Sequence, residues 1–101
     1  MGFFTSVTKV VDLEGGNTVT IKRVTYGERQ EAASKSVKGG ILDMPRYQME
    51  LLCRAVVSWE GPDFEGRPAS AENIAELPGY IADKLVSEAN ALAELTADEG
   101  N

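Results

Sequence analysis

The chain has 101 residues, 43% apolar and 26% charged, with 16 Asp/Glu against 10 Lys/Arg and a net charge of −6. These values describe one ordinary globular domain with a single modest core. The acidic balance argues against the basic face that a nucleic-acid binder needs to neutralise phosphates. Histidine is absent and Cys53 is alone, which removes His-based acid–base and nucleophile pairs, nearly all zinc sites and any internal disulfide.

The start, Met1-Gly2-Phe3-Phe4-Thr5, lacks the basic flank and long apolar run of a signal peptide, and no stretch reaches the roughly 18 apolar residues of a membrane span. The expected location is therefore cytoplasmic, with no membrane partner. Val7 to Leu13 is rich in β-branched residues, and Thr18-Val19-Thr20-Ile21-Lys22 alternates cleanly, with Val19 and Ile21 on one face. The Gly15-Gly16-Asn17 turn between them predicts a β-hairpin over 7–24 with one covered face. A lone hairpin is marginal in water, so helices must cover it.

Thr25-Tyr26-Gly27-Glu28 has the form of a capping box and predicts a helix over 26–38 that stops at Gly39-Gly40. Asp43 is the candidate N-cap, with Pro45 in the first turn, of a helix over 45–59. There Leu52, Ala55, Val56 and Trp59 follow the i, i+3, i+4, i+7 rule of one buried face, which makes this segment the predicted centre of the core. Cys53 sits within this run and reads as a buried, inert thiol.

Gly61-Pro62 ends the run and opens a loop, Asp63-Phe64-Glu65-Gly66-Arg67-Pro68, at which the charge changes sign. Residues 1–59 hold eight Lys/Arg against six Asp/Glu; residues 60–101 hold two against ten. Ser70 caps a predicted short helix over 71–77 that Pro78 ends. A last helix over 78–95 carries Ile81, Leu85, Ala89 and Leu92 on one side, and 96–101 form a flexible acidic tail. The fold class is α+β: one domain over 1–95, mostly helical, an N-terminal β-hairpin packed on three to four α-helices.

No catalytic, cofactor or metal site emerges. The acids Asp63 and Glu65 are too few for a calcium loop, and neither glycine pair precedes the Lys-Ser/Thr of a phosphate loop. The residues open to a partner-binding reading are aromatic or apolar: Phe3, Phe4, Trp59, Phe64, Ile81 and Leu85. Each has core packing as its competing role.

Four blocks carry a family resemblance. They are Val7 to Arg23 with Thr25-Tyr26-Gly27-Glu28; Tyr47-Gln48-Met49-Glu50-Leu51-Leu52; Val57-Ser58-Trp59-Glu60-Gly61-Pro62 with Phe64-Glu65-Gly66-Arg67-Pro68; and Ala71-Glu72-Asn73-Ile74 with Leu77-Pro78 and Ile81-Ala82-Asp83-Lys84-Leu85. In order and spacing they cover most of the chain and resemble the tail assembly chaperones of long-tailed bacteriophages. The resemblance implies a non-enzymatic protein of virion assembly, acting in the host bacterial cytoplasm and absent from the mature virion. It implies binding to the tape measure protein and recruitment of tail tube protein, with no cofactor; self-association is left open as a further partner reading. In many such phages a ribosomal frameshift also yields a longer form. The competing reading is a structural head–tail connector or tail-completion protein.

Overall fold

A computed structural model describes residues 2–94; the predicted tail, 96–101, lies outside them. Its elements are β1 (Thr8–Asp12), β2 (Thr18–Lys22), α1 (Tyr26–Lys35), β3 (Val37–Lys38), β4 (Ile41–Leu42), α2 (Met44–Ala55), β5 (Val56–Glu60), α3 (Ala71–Ala75) and α4 (Gly79–Ala93). The α+β class is as predicted: an antiparallel hairpin covered by helices.

The hairpin β1–β2 pairs Val11 with Val19 and Lys9 with Ile21, which puts Val11, Val19 and Ile21 on one buried face. Leu52 and Ala55 of α2, Leu85, Ala89 and Leu92 of α4, and Ile74 of α3 close over that face. On the other face, Thr8, Val10, Asp12, Thr18, Thr20, Lys22, Ser58 and Glu60 all keep some exposure. A three-stranded sheet and one helical layer thus make up the body, only 19 Å along its shortest axis, and β3–β4 form a separate two-stranded sheet. Among the described residues no helix is long and apolar enough to cross a membrane.

Two predicted helices end early, for identifiable reasons. The helix expected over 45–59 stops at Ala55, and Val56–Glu60 becomes a third strand in the order β1-β2-β5. The β-branched pair Val56-Val57 favours extended backbone, and the free edge of β2 offers partners for it. Val57 is the extra residue of a β-bulge: Ser58 faces Thr20, while Val56 faces Ile21. The bulge lets Val56 and Trp59 both lie on the core-facing side, opposite Ile21 and Val19. A spacing of three that suits a helix is therefore met by a bulged strand.

The helix expected over 26–38 stops at Lys35, where the buried Ser36 hydroxyl donates back to the Ala32 carbonyl at 2.7 Å. Val37-Lys38 then pairs with Ile41-Leu42 across Gly39-Gly40, whose φ values of 60° and 80° suit a two-residue hairpin turn. These glycines turn a strand rather than stop a helix. The other predicted limits move less: 71–77 is helical to Ala75, and 78–95 is helical over Gly79–Ala93. The caps at Thr25, Asp43 and Ser70 all form, Thr25 and Glu28 as a complete capping box.

One close approach holds the hairpin turn to the loop after β5. The buried Asn17 side-chain amide donates to the Glu14 carbonyl at 2.6 Å and to the Asp63 carboxylate at 2.7 Å, while its oxygen accepts from the Asp63 N–H at 3.0 Å. Gly61, at φ 141° and ψ 164°, lies against Asn17 in a region open essentially to glycine alone. A Cβ there would fall 2.6 Å from the Asn17 Cα. Gly61→Ala is expected to cost about 3 kcal/mol or more, since both the dihedral and the backbone clash must be relieved. Chemical denaturation measures this; a variant as stable as the parent would show that the approach is soft.

Helix α1 is held to α2 by charge. Arg54 donates to Glu31 on α1 at 2.7 Å and to Glu50 on its own helix at 2.8 Å. Hydrogen bonds from Arg54 keep both carboxyls below the usual carboxylate value of 4.5. Groups with depressed folded pKa values contribute stability above their unfolded value and lose it as pH falls through the folded one. Stability is therefore expected to fall as pH drops below 4.5, and Arg54→Met to flatten that acid limb. Melting curves across the acid range check it; parallel limbs for the two proteins would refute it.

Candidate interaction surface

The six residues read as possible partner contacts separate into three environments. Leu85 is fully buried beneath the sheet, so it is core and not surface. Phe64 is buried as well. Its ring stacks on Trp59 with centroids 4.5 Å apart and planes 7° from parallel. Trp59 itself is half-buried and sits on a strand, not on the predicted helix. Its indole N–H donates to the Arg67 carbonyl at 2.6 Å, so the tryptophan fastens the loop back onto β5. Its stacking, hydrogen bond and position opposite Val19 give it a structural role.

Ile81 is half-buried and joins Phe64, Leu13, Leu77 and Tyr80 around a hollow of about 380 Å³ whose charged lining residues are Glu14 and Asp63. Asp63 accepts from Asn17 there, which gives that acid a structural task. Among the described residues no three His, Cys, Asp or Glu side chains converge on a point that suits a metal. Burial, with the Glu50 charge adding to it, pushes the Cys53 thiol up and keeps it protonated.

Phe3 and Phe4 are different. The Thr5 N–H donates to the Gly2 carbonyl at 3.3 Å, closing a turn with the two phenylalanines at its tip. Phe3 is 90% exposed and Phe4 fully so. They line a cleft of about 830 Å³ with Val7, Val24, the exposed Tyr26 and Ala93 at the end of α4. Among the described residues its charged lining is Lys22, Arg23 and Arg29. The Arg29 guanidinium lies over the Tyr26 ring, 5.9 Å from its centroid.

A second exposed apolar group was not visible in the pattern. Val37, Ile41, Leu42 and Met44, at 52%, 74%, 40% and 50% exposure, lie along the β3–β4 hairpin and the first turn of α2, with Val37 directly opposite Leu42. The sequence signal that marks it is Gly39-Gly40 between two β-propensity pairs.

Beside this geometry, comparison with known proteins yields no match: no family model, curated protein or solved structure matches the chain.

If Trp59 is structural, Trp59→Ala should cost about 3 kcal/mol, near the low end for aromatic truncation because the ring is only half-buried. Trp59→Phe, which keeps the stack and loses the indole hydrogen bond, should cost about 1 kcal/mol beyond any lost packing. Urea titration measures both. Parent-like stability of the alanine variant would return Trp59 to the list of partner contacts.

Proposed function

We propose that this chain is a tail assembly chaperone of a long-tailed bacteriophage. It is non-enzymatic, binds the tape measure protein in the host cytoplasm, helps recruit tail tube protein, and leaves before the virion is complete. The four sequence blocks supply the family reading. The observation that carries it on the structural side is the pair of exposed apolar groups, Phe3-Phe4-Tyr26 and Val37-Ile41-Leu42-Met44, on a small domain of net charge −6. Grouped exposed apolar side chains mark surfaces that are covered by another molecule.

The physical task fits that composition. A tape measure protein exposes apolar helical stripes until the tail tube encloses it. A small acidic domain with apolar contact points can cover those stripes while its charge keeps the assembly apart from its neighbours. Many copies along one filament turn weak individual contacts into a durable coat.

The test is co-expression with the tape measure protein of the same phage. The tape measure protein should shift from the insoluble to the soluble fraction and co-purify with this chain. Purified particles should lack the chain by mass spectrometry. An unchanged soluble fraction rejects the chaperone reading, and the chain's presence in particles favours a connector or tail-completion subunit.

A further inference from the structure

Three segments separated in the sequence close the hollow near Asn17: the hairpin turn, the loop after β5 and the start of α4. Leu13, Phe64, Leu77 and Ile81 give it apolar walls, and Tyr80, 70% exposed, lines it as well. Glu14 and Asp63 border the same space. At about 380 Å³ it falls within the roughly 300–1,000 Å³ of ligand pockets. We propose that this hollow receives an arginine side chain that the partner protein presents beside an apolar residue on one helix.

The frame of the hollow is fixed before anything binds. Buried Asn17 ties the Glu14 carbonyl to the Asp63 carboxylate, Gly61 lies against the Asn17 backbone, and Phe64 is stacked on Trp59. Asp63 accepts from Asn17 through Oδ2. Among the described residues its Oδ1 and the Glu14 carboxylate make no hydrogen bond or ion pair. Glu28, Glu31, Glu50, Glu76 and Glu88, by contrast, each meet a lysine or arginine of the chain itself. Apolar walls beside two carboxylates suit a side chain with an apolar stem and a cationic head. Arginine suits them better than lysine, since its planar guanidinium pairs with a carboxylate through two parallel hydrogen bonds and stacks on a tyrosine ring. The charge of the whole chain acts in the same direction. At −6 it draws a cationic segment and repels a second copy. The chain's own last residues, Leu95 to Asn101, carry Asp98 and Glu99 and no cation, so their sign is that of the hollow. A metal ion is disfavoured as occupant, because among the described residues no three acids converge.

The inference rests on the chaperone reading for the partner's identity, not for its chemistry, so its test uses peptides. Three labelled amphipathic helical peptides share one leucine face and carry arginine, lysine or glutamate flanks. Fluorescence anisotropy with the full chain should show the arginine peptide binding about tenfold more tightly than the glutamate one, with lysine between them. Glu14→Gln should weaken the arginine peptide about fivefold. Glu72→Gln, which removes the same charge from the exposed first turn of α3, should leave it unchanged. Tyr80→Ala should bring the arginine peptide to the level of the lysine one. Glu14, Glu72 and Tyr80 are all exposed, and a melting curve matching the parent's confirms that each variant is folded.

Equal affinity for the arginine and glutamate peptides overturns the proposal, as does parent-like binding by Tyr80→Ala. Equal losses in Glu14→Gln and Glu72→Gln also overturn it, because net charge and not the hollow would then attract the peptide. Free arginine amide that competes at the peptide's own concentration overturns it in favour of a small-cation site. Loss of oligomers in Glu14→Gln, with no peptide binding by the parent, overturns it in favour of a second copy. If the peptides behave as expected while co-expression fails, the hollow stands and the phage reading falls. Co-expression that succeeds while Glu14→Gln binds like the parent keeps the phage reading and removes the hollow.

Discussion

The addition of Val56–Glu60 to the open edge of the N-terminal hairpin is the constraint on which the remaining structure depends. Helix α2 passes into β5 with no intervening loop, so the strand's register on β2 also sets where the helix lies on the sheet. Val56 and Trp59 meet Ile21 and Val19. Gly61 can then turn the chain against Asn17, and Trp59 draws the following loop back through Phe64 and the Arg67 carbonyl. A hairpin alone is marginal. With a third strand and a helix attached to it, the sheet gains a covered face centred on Val11, Val19 and Ile21.

Charge arranges the helices around this centre. Lys9 reaches Glu88 on α4 at 2.7 Å, and Lys84 of α4 donates to the Asp12 carbonyl at 3.2 Å at the outer edge of β1. Each contact is largely exposed and worth little by itself. Their combined effect is positional: a lysine on the β1 edge occupies a backbone acceptor that another strand would otherwise use. The paired acids of the second half are thus partly used within the molecule. Among the described residues, Lys22, Arg23 and Arg29 line the cleft at the N-terminal turn, and Glu14 and Asp63 line the hollow near Asn17.

The proposed function connects with this layout through the loop block, Val57 to Pro68, one of the four that carry the family resemblance. Trp59 and Phe64, whose roles are ambiguous in the sequence, stack on each other and hold the joint. The aromatic residues left exposed are instead Phe3 and Phe4, before the first strand. Exposed aromatics and scaffold aromatics are therefore separate, and residues can be exchanged at the turn without disturbing the core.

Much of the fold was legible because local chemistry specified it. The three side-chain caps, the first hairpin and the apolar stripe of α4 all follow from spacing and residue type; of that stripe Leu85, Ala89 and Leu92 are buried and Ile81 is half-buried, which takes Leu85 out of the candidate partner contacts. The reading failed at Val56–Glu60 and Val37–Leu42. At the first, a helical face and a bulged strand demand the same spacing; at the second, a glycine pair ends a helix as readily as it turns a hairpin. The candidate cleft was half legible: Phe3 and Phe4 were flagged, but Val24, Arg23 and Arg29 join them only when the end of β2 and the start of α1 are brought beside the N-terminal turn. By itself, then, the sequence determined where segments start, which faces are apolar and how charge divides along the chain, because those depend on neighbouring residues. Only the tertiary structure decided that the tryptophan segment is a strand and that three distant cations share a cleft with two phenylalanines, because a free strand edge and a shared surface exist only once the chain has folded.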